Sequence, residues 1–115
     1  MSEEGHDVTI IDQNEDAFTR LGNNFKGNAL VGDGIDEDML KRAGVEQADA
    51  FAALTNGDNR NIFSAQLAQH LFKVPRVVCR IYDPIREEVY RGLGLNTYCP
   101  TILGSQTARR MIVEG

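Results

Sequence analysis

The sequence predicts an α/β fold, a doubly wound parallel sheet covered by helices on both faces. Three observations predict it. Short apolar runs alternate with longer amphipathic stretches from one end of the chain to the other, the order that right-handed crossovers wind into a parallel sheet. Each run is of strand length and nearly all apolar, as expected where both faces of the sheet are covered. The residues that close the runs are rich in Gly, Asp, Asn and Thr, and in such sheets ligands bind beyond the carboxyl ends of the strands.

The elements follow in order. A first strand is expected over Asp7–Asp12 and a helix from near Glu15, then a second strand over Asn28–Gly32. In "IDEDMLKRAG", Asp36, Glu37 and Asp38 open a helix, Lys41 and Arg42 close it, and Gly44 ends it. That charge order complements the helix dipole. The third strand is Asp49–Thr55. The helix "NRNIFSAQLAQHLF" carries Phe63, Leu67 and Leu71 on one stripe, widened by Ile62, Ala68 and Phe72, an amphipathic pattern. After the fourth strand, Arg76–Tyr82, "DPIREEVYRGLG" offers Asp83 as cap, Pro84 at the first helical position, and Gly92 and Gly94 at the end. The fifth strand is Asn96–Cys99, and a last helix is expected from Ser105, after a break at Pro100. The chain shows no internal repeat or low-complexity tract.

Composition excludes several classes. At 115 residues, with 42% apolar and 25% charged residues, the chain is of single-domain size and ordinary globular make-up. Its net charge of −5 argues against nucleic acid, whose binding needs clustered Lys and Arg. No apolar run reaches the roughly 18 residues of a membrane span, so direct membrane insertion is not expected. "MSEEGHD" has no apolar h-region and is not a signal peptide. Cys79 and Cys99 fall in expected strands without metal-ligand spacing, and read as buried, reduced thiols.

The strand ends carry the candidate chemistry. Asp12 stands where, in dinucleotide-binding folds, a carboxylate grips a ribose hydroxyl about 20 residues after a glycine-rich phosphate loop. Eleven residues precede it and contain no such loop; the chain reads as a nucleotide-binding domain that starts one βα unit late. The plain alternative for Asp12 is a helix cap. A carboxylate here also repels a 2′-phosphate, favouring NAD or an adenosine nucleotide over NADP. Gly32 and Gly34 flank Asp33, so the backbone can approach a flat ligand and Asp33 can accept from an adenine amino group; the plain alternative is a tight turn with an Asx hydrogen bond. Thr55 and Asn56 suit hydroxyl and amide contacts to a nucleotide, while Asp58 or Asn59 suits a cap for the following helix. Arg80 lies in the apolar strand "RVVCRIY", where an unpaired charge is costly. It pairs with a carboxylate such as Asp83 or faces a phosphate, the ion pair being preferred. His6 and His70 carry little signal, and His70 shares a polar helix face with Gln66.

No catalytic constellation is present. Four residues after Tyr82, Tyr90 and Tyr98 stand Arg86, Gly94 and Ile102, so the Tyr-x-x-x-Lys pair of short-chain dehydrogenases is missing. There is no G-x-S-x-G elbow and no Walker loop. Such a site binds and senses rather than reacts.

The segments "EEGHDVTIIDQNEDAFTRL", "VGDGIDEDMLKRAGVEQADAFAALTNGDNRNIFSAQLA", "RVVCRIYDP" and "LGLNTYCPTILGSQTARRM" cover nearly the whole chain. In their order and spacing they resemble the TrkA-N domain, also called the RCK or KTN domain, of bacterial potassium channels and transporters. The resemblance implies a Rossmann-like fold in a cytosolic regulatory module that binds NAD(H) or an adenine nucleotide such as ATP or ADP. Such a module passes its ligand state to a potassium-conducting membrane partner, through homodimers that form rings. Residue by residue, it implies that Asp12 holds the adenosine ribose and Asp33, between Gly32 and Gly34, lies near the adenine. Thr55, Asn56 and Asp58 then line the second half of the nucleotide, with Arg80 at the border.

The family pattern opens with a strand, a G-x-G-x-x-G loop and a helix, of which "SEEG" alone matches here. The expectation is therefore one truncated domain over residues 1–115, a Rossmann-like sheet missing its first βα unit and binding nucleotide weakly, since the pyrophosphate cradle is lacking. With the central strand gone, the Asp12 and Thr55 strands are expected to pair directly or to be covered by dimerisation. Two other readings compete: a fragment of an NAD-dependent oxidoreductase, and a protein-interaction module with a vestigial nucleotide cleft that docks through Met111, Ile112 and Val113.

Overall fold

A computed structural model of the chain describes residues 6–12, 27–32 and 34–114. The chain divides into two compact units, Met1–Val45 and Glu46–Gly115.

In the first unit, strand β1 (Thr9–Asp12) pairs in parallel with β2 (Asn28–Val31), in the register Thr9↔Asn28 to Asp12↔Val31. The ladder continues past Asp12, whose carbonyl accepts from Gly32 N–H at 2.9 Å. Helix α1 (Glu37–Arg42) has the ends expected of it. The Asp36 carboxylate caps it by accepting from Asp38 N–H at 2.9 Å, Lys41 and Arg42 occupy its last turn, and Gly44 takes the left-handed backbone (φ +89°) that stops it. Met39 and Leu40 are its buried residues. The helix expected from near Glu15, and Asp33, lie outside the described residues.

The second unit is built on a three-stranded parallel sheet, β3 (Ala50–Ala53), β4 (Arg76–Arg80) and β5 (Thr97–Tyr98), in that spatial order. Helix α2 (Asp58–Gln66) continues into a wider π turn over Leu67–Leu71, closed by Phe72 N–H on the Leu67 carbonyl at 3.0 Å. Helices α3 (Pro84–Gly92) and α4 (Pro100–Glu114) follow β4 and β5. Ala53, Ile62, Ala65, Ala68, Val77, Cys79, Ile81 and Cys99 form the core. The fold is α/β with every described strand parallel. The described strands form two sheets, β1-β2 in the first unit and β3-β4-β5 in the second.

Two expectations change. The buried face of α2 and its π turn keeps Ile62 and Ala68 of the expected stripe and adds Asn61, Ser64 and Ala65, while Phe63 and Leu71 are half exposed. Small side chains inward let the helix lie close to β3 and β4, which apolar periodicity alone does not reveal. Pro100, expected to break the chain, instead opens α4 five residues before Ser105. A proline in the first helical turn forfeits no helical bond, and the Cys99 carbonyl accepts from Leu103 N–H at 3.0 Å.

Candidate functional site

Each unit brings its own candidate residues to its strand ends. In the first, Asp12 ends β1, half-buried, and Gly32 follows β2. A side chain on Gly32 would meet the buried Met39: an added Cβ falls 2.3 Å from its terminal methyl, whereas Gly34 stands in open space. The close approach at Gly32 therefore serves the packing of α1.

In the second unit, the ends of β3 and β4 and the start of α2 are tied by a polar network whose hub is Asn61, fully buried at 0% exposure. Its Oδ1 accepts from Thr55 N–H at 2.9 Å and from the Thr55 hydroxyl at 2.6 Å. Its Nδ2 donates to the carbonyls of Thr55 at 2.9 Å and Arg80 at 2.8 Å. All four hydrogen-bonding capacities of the amide are used. Sequence reading passed over Asn61; the available signal was an amide on a helix face otherwise lined by Ile62, Ala65 and Ala68.

Asp58 neither caps α2 nor stands open. Gly57 holds the N-cap position, and the Asp58 carboxylate accepts from Tyr82 N–H at 2.7 Å and Asp83 N–H at 3.0 Å. It thus clamps the turn after β4. Asn59 accepts from Arg86 Nη1 at 3.0 Å. Asp83 caps α3, accepting from Ile85 N–H at 3.0 Å, so the preferred Arg80–Asp83 ion pair does not form. Arg80 Nη2 donates instead to the carbonyls of Leu54 and Thr55, and the guanidinium lies 5.1 Å from the centre of the Tyr82 ring, a cation–π distance. Its Nε is buried without a partner. Asn56 and Thr55 are exposed. Beneath them, burial pushes the Cys79 thiol up to about 11, with the Asp58 carboxylate adding in the same direction. Both cysteines are free and buried.

The strand ends thus offer carboxylate, hydroxyl, amide and guanidinium groups held by backbone ties, an arrangement suited to binding. Among the described residues no group of His, Cys, Asp and Glu is placed to hold a metal ion, and no helix is long and apolar enough to cross a membrane.

Comparison with known proteins places the chain in a family. The TrkA-N domain model matches residues 1–100, and the chain belongs to the TrkA-N domain family. It is 43% identical over 116 residues to a Trk system potassium uptake protein TrkA of Streptomyces coelicolor, covering 100% of this chain and 52% of that protein. A TrkA homolog of Pyrococcus abyssi is 37% identical over 90 residues, covering 78% and 40%. The chain therefore spans about half the length of the curated relatives it matches. Among solved structures, the Kef CTD of Shewanella denitrificans in an AMP-bound form superposes with a TM-score of 0.76 at 18% identity, covering 99% of this chain and 70% of the other. That likeness makes the fold Rossmann-like.

Proposed function

We propose that the chain is a non-catalytic regulatory module of a potassium uptake system or potassium channel. It is cytosolic and reaches the membrane through its partner; it senses NAD(H) or an adenine nucleotide and gates that partner. The observation that carries the reading is TrkA-N membership, joined to strand ends furnished for binding. The resemblance to potassium-uptake proteins supports the transport assignment.

The residues present fit parts of a nucleotide. In the first unit, Asp12 suits ribose hydroxyls, while an adenine contact at Gly32, Asp33 and Gly34 rests on the family resemblance alone. In the second unit, Thr55 and Asn56 suit hydroxyl and amide contacts to a nucleotide. Arg80 borders that site, its Nη2 already donating to the carbonyls of Leu54 and Thr55. Asp58 serves that site by holding the turn after β4, since both its oxygens already accept backbone N–H groups.

Calorimetric titration of the chain with NADH, NAD+, ATP and ADP tests the reading. The expected result is binding that Asp12→Ala lowers by at least about tenfold, the loss of a charge-assisted hydrogen bond. Absence of binding by all four nucleotides overturns the sensing assignment. Hydride exchange with a carbonyl substrate overturns the non-catalytic assignment in favour of an oxidoreductase fragment. A second reading, a protein-interaction module, is favoured by α4, where Met111, Ile112 and Val113 are 71%, 82% and 69% exposed.

A further inference from the structure

Asn61 decides what Thr55 can offer a ligand. The amide has one possible orientation, because Thr55 N–H can only donate and the carbonyls of Thr55 and Arg80 can only accept. Oδ1 must therefore face Thr55 N–H, and only the Thr55 hydroxyl can supply the proton in its 2.6 Å contact with Oδ1. The alternative acceptor for that proton, the Gly57 carbonyl, is 3.4 Å away, at the margin of hydrogen bonding. Gly57 N–H meanwhile donates into Thr55 Oγ1 at 3.2 Å. A hydroxyl has one proton and two lone pairs. With the proton and one lone pair taken, an exposed Thr55 keeps a single lone pair for solvent or ligand.

We infer that Asn61 is a specificity-determining positioning residue: it holds the Thr55 hydroxyl as an acceptor, so that the ligand group seated there is a hydrogen-bond donor, a sugar hydroxyl or a carboxamide N–H, and not a phosphate oxygen. The inference rests on the nucleotide reading above and deepens it by assigning chemistry to one position. An ionised phosphate oxygen meets a lone pair at Thr55 and is turned away. A nucleoside sugar or a nicotinamide-type amide finds the acceptor it needs. Asn61 touches no ligand itself, being fully buried; it acts through Thr55.

Proton NMR of the unliganded chain gives the first test. The Thr55 hydroxyl proton is expected as a resolved, slowly exchanging signal close to the Asn61 side chain, absent in Thr55→Val and retained in Thr55→Ser. A hydroxyl proton that exchanges freely with water overturns the inference, and this measurement needs no Asn61 variant to fold. The second test follows the Thr55 backbone amide during titration with nicotinamide riboside or with inorganic phosphate. The riboside is expected to shift it and phosphate to leave it in place. Thr55→Ser keeps the riboside response, and Thr55→Val weakens it about tenfold, the value of one hydrogen bond with a buried partner left unmet. A phosphate response at Thr55 equal to the riboside's overturns the specificity. If neither probe moves Thr55 while its hydroxyl proton stays protected, the nucleotide reading of this site falls, and with it the ligand half of the inference, leaving Asn61 as a structural tie.

Discussion

Cys79 shows how the β4 strand end constrains a single group. It has no exposed surface and sits one residue before Arg80, at the base of the polar network. Burial first, and the Asp58 carboxylate second, raise its thiol from 9.0 to about 11. In the unfolded chain the same thiol ionises near 9.0. Between those values the unfolded chain binds fewer protons than the folded one, so stability falls as pH rises. The contribution is fully present below pH 9 and is lost by about pH 11, a change of roughly 2–3 kcal/mol. Urea unfolding midpoints at pH 8 and pH 11, compared between the natural chain and Cys79→Ala, measure it. The natural chain is expected to show the steeper loss, and equal losses in both rule the effect out. The neighbouring Arg80 also shows where residue types alone mislead. A charge in an apolar strand requires partners, but composition points to carboxylates, whereas backbone carbonyls and the Tyr82 ring supply them here.

Among the elements, legibility follows the range of the interactions. The ends of α1 and α3 were readable because caps act over two or three residues: Asp36 on Asp38 N–H, Asp83 on Ile85 N–H. Pro84 at the start of α3, and Gly94 beyond its end with φ +97°, belong to the same local code. The inward face of α2 was only partly readable, because it is chosen by contact with β3 and β4. Asn61 was hidden for the same reason: its partners stand 6 and 19 residues away in the chain. The turn joining β4 to α3 combines both ranges. Asp83 caps the helix locally, while Asp58, 24 and 25 residues earlier, holds Tyr82 N–H and Asp83 N–H. Removing the cap by Asp83→Ala is expected to cost about 1 kcal/mol. Asp58→Ala strands two backbone donors that had a charged acceptor, and is expected to cost more, about 2–3 kcal/mol. Chemical denaturation of the two variants orders them, and an equal or smaller loss for Asp58→Ala contradicts the clamp.

At the scale of the whole molecule, the apolar surface left uncovered in the second unit bears on assembly. Ile85 and Val89 on α3 and Leu93 at its C-cap recur every fourth residue and are 76%, 53% and 75% exposed, one apolar stripe along the helix. The α4 helix has no buried residue at all, and Met111, Ile112 and Val113 lie bare near its end. Apolar surface gathered in this way marks sites of association, as the expected homodimer or ring requires. Introducing a charge there separates assembly from folding. Met111→Glu is exposed, so it leaves helix content unchanged, but in an associated state it buries an unpaired carboxylate against apolar surface, which is strongly unfavourable. Sedimentation equilibrium of the natural chain is therefore expected to show a dimer or larger species, and Met111→Glu a shift toward monomer with an unaltered circular dichroism spectrum. If addition of NADH leaves the association of the natural chain unchanged, the α4 surface acts as a docking element independent of nucleotide. A natural chain that sediments as a monomer refutes self-association, and the stripes on α3 and α4 then await a different protein.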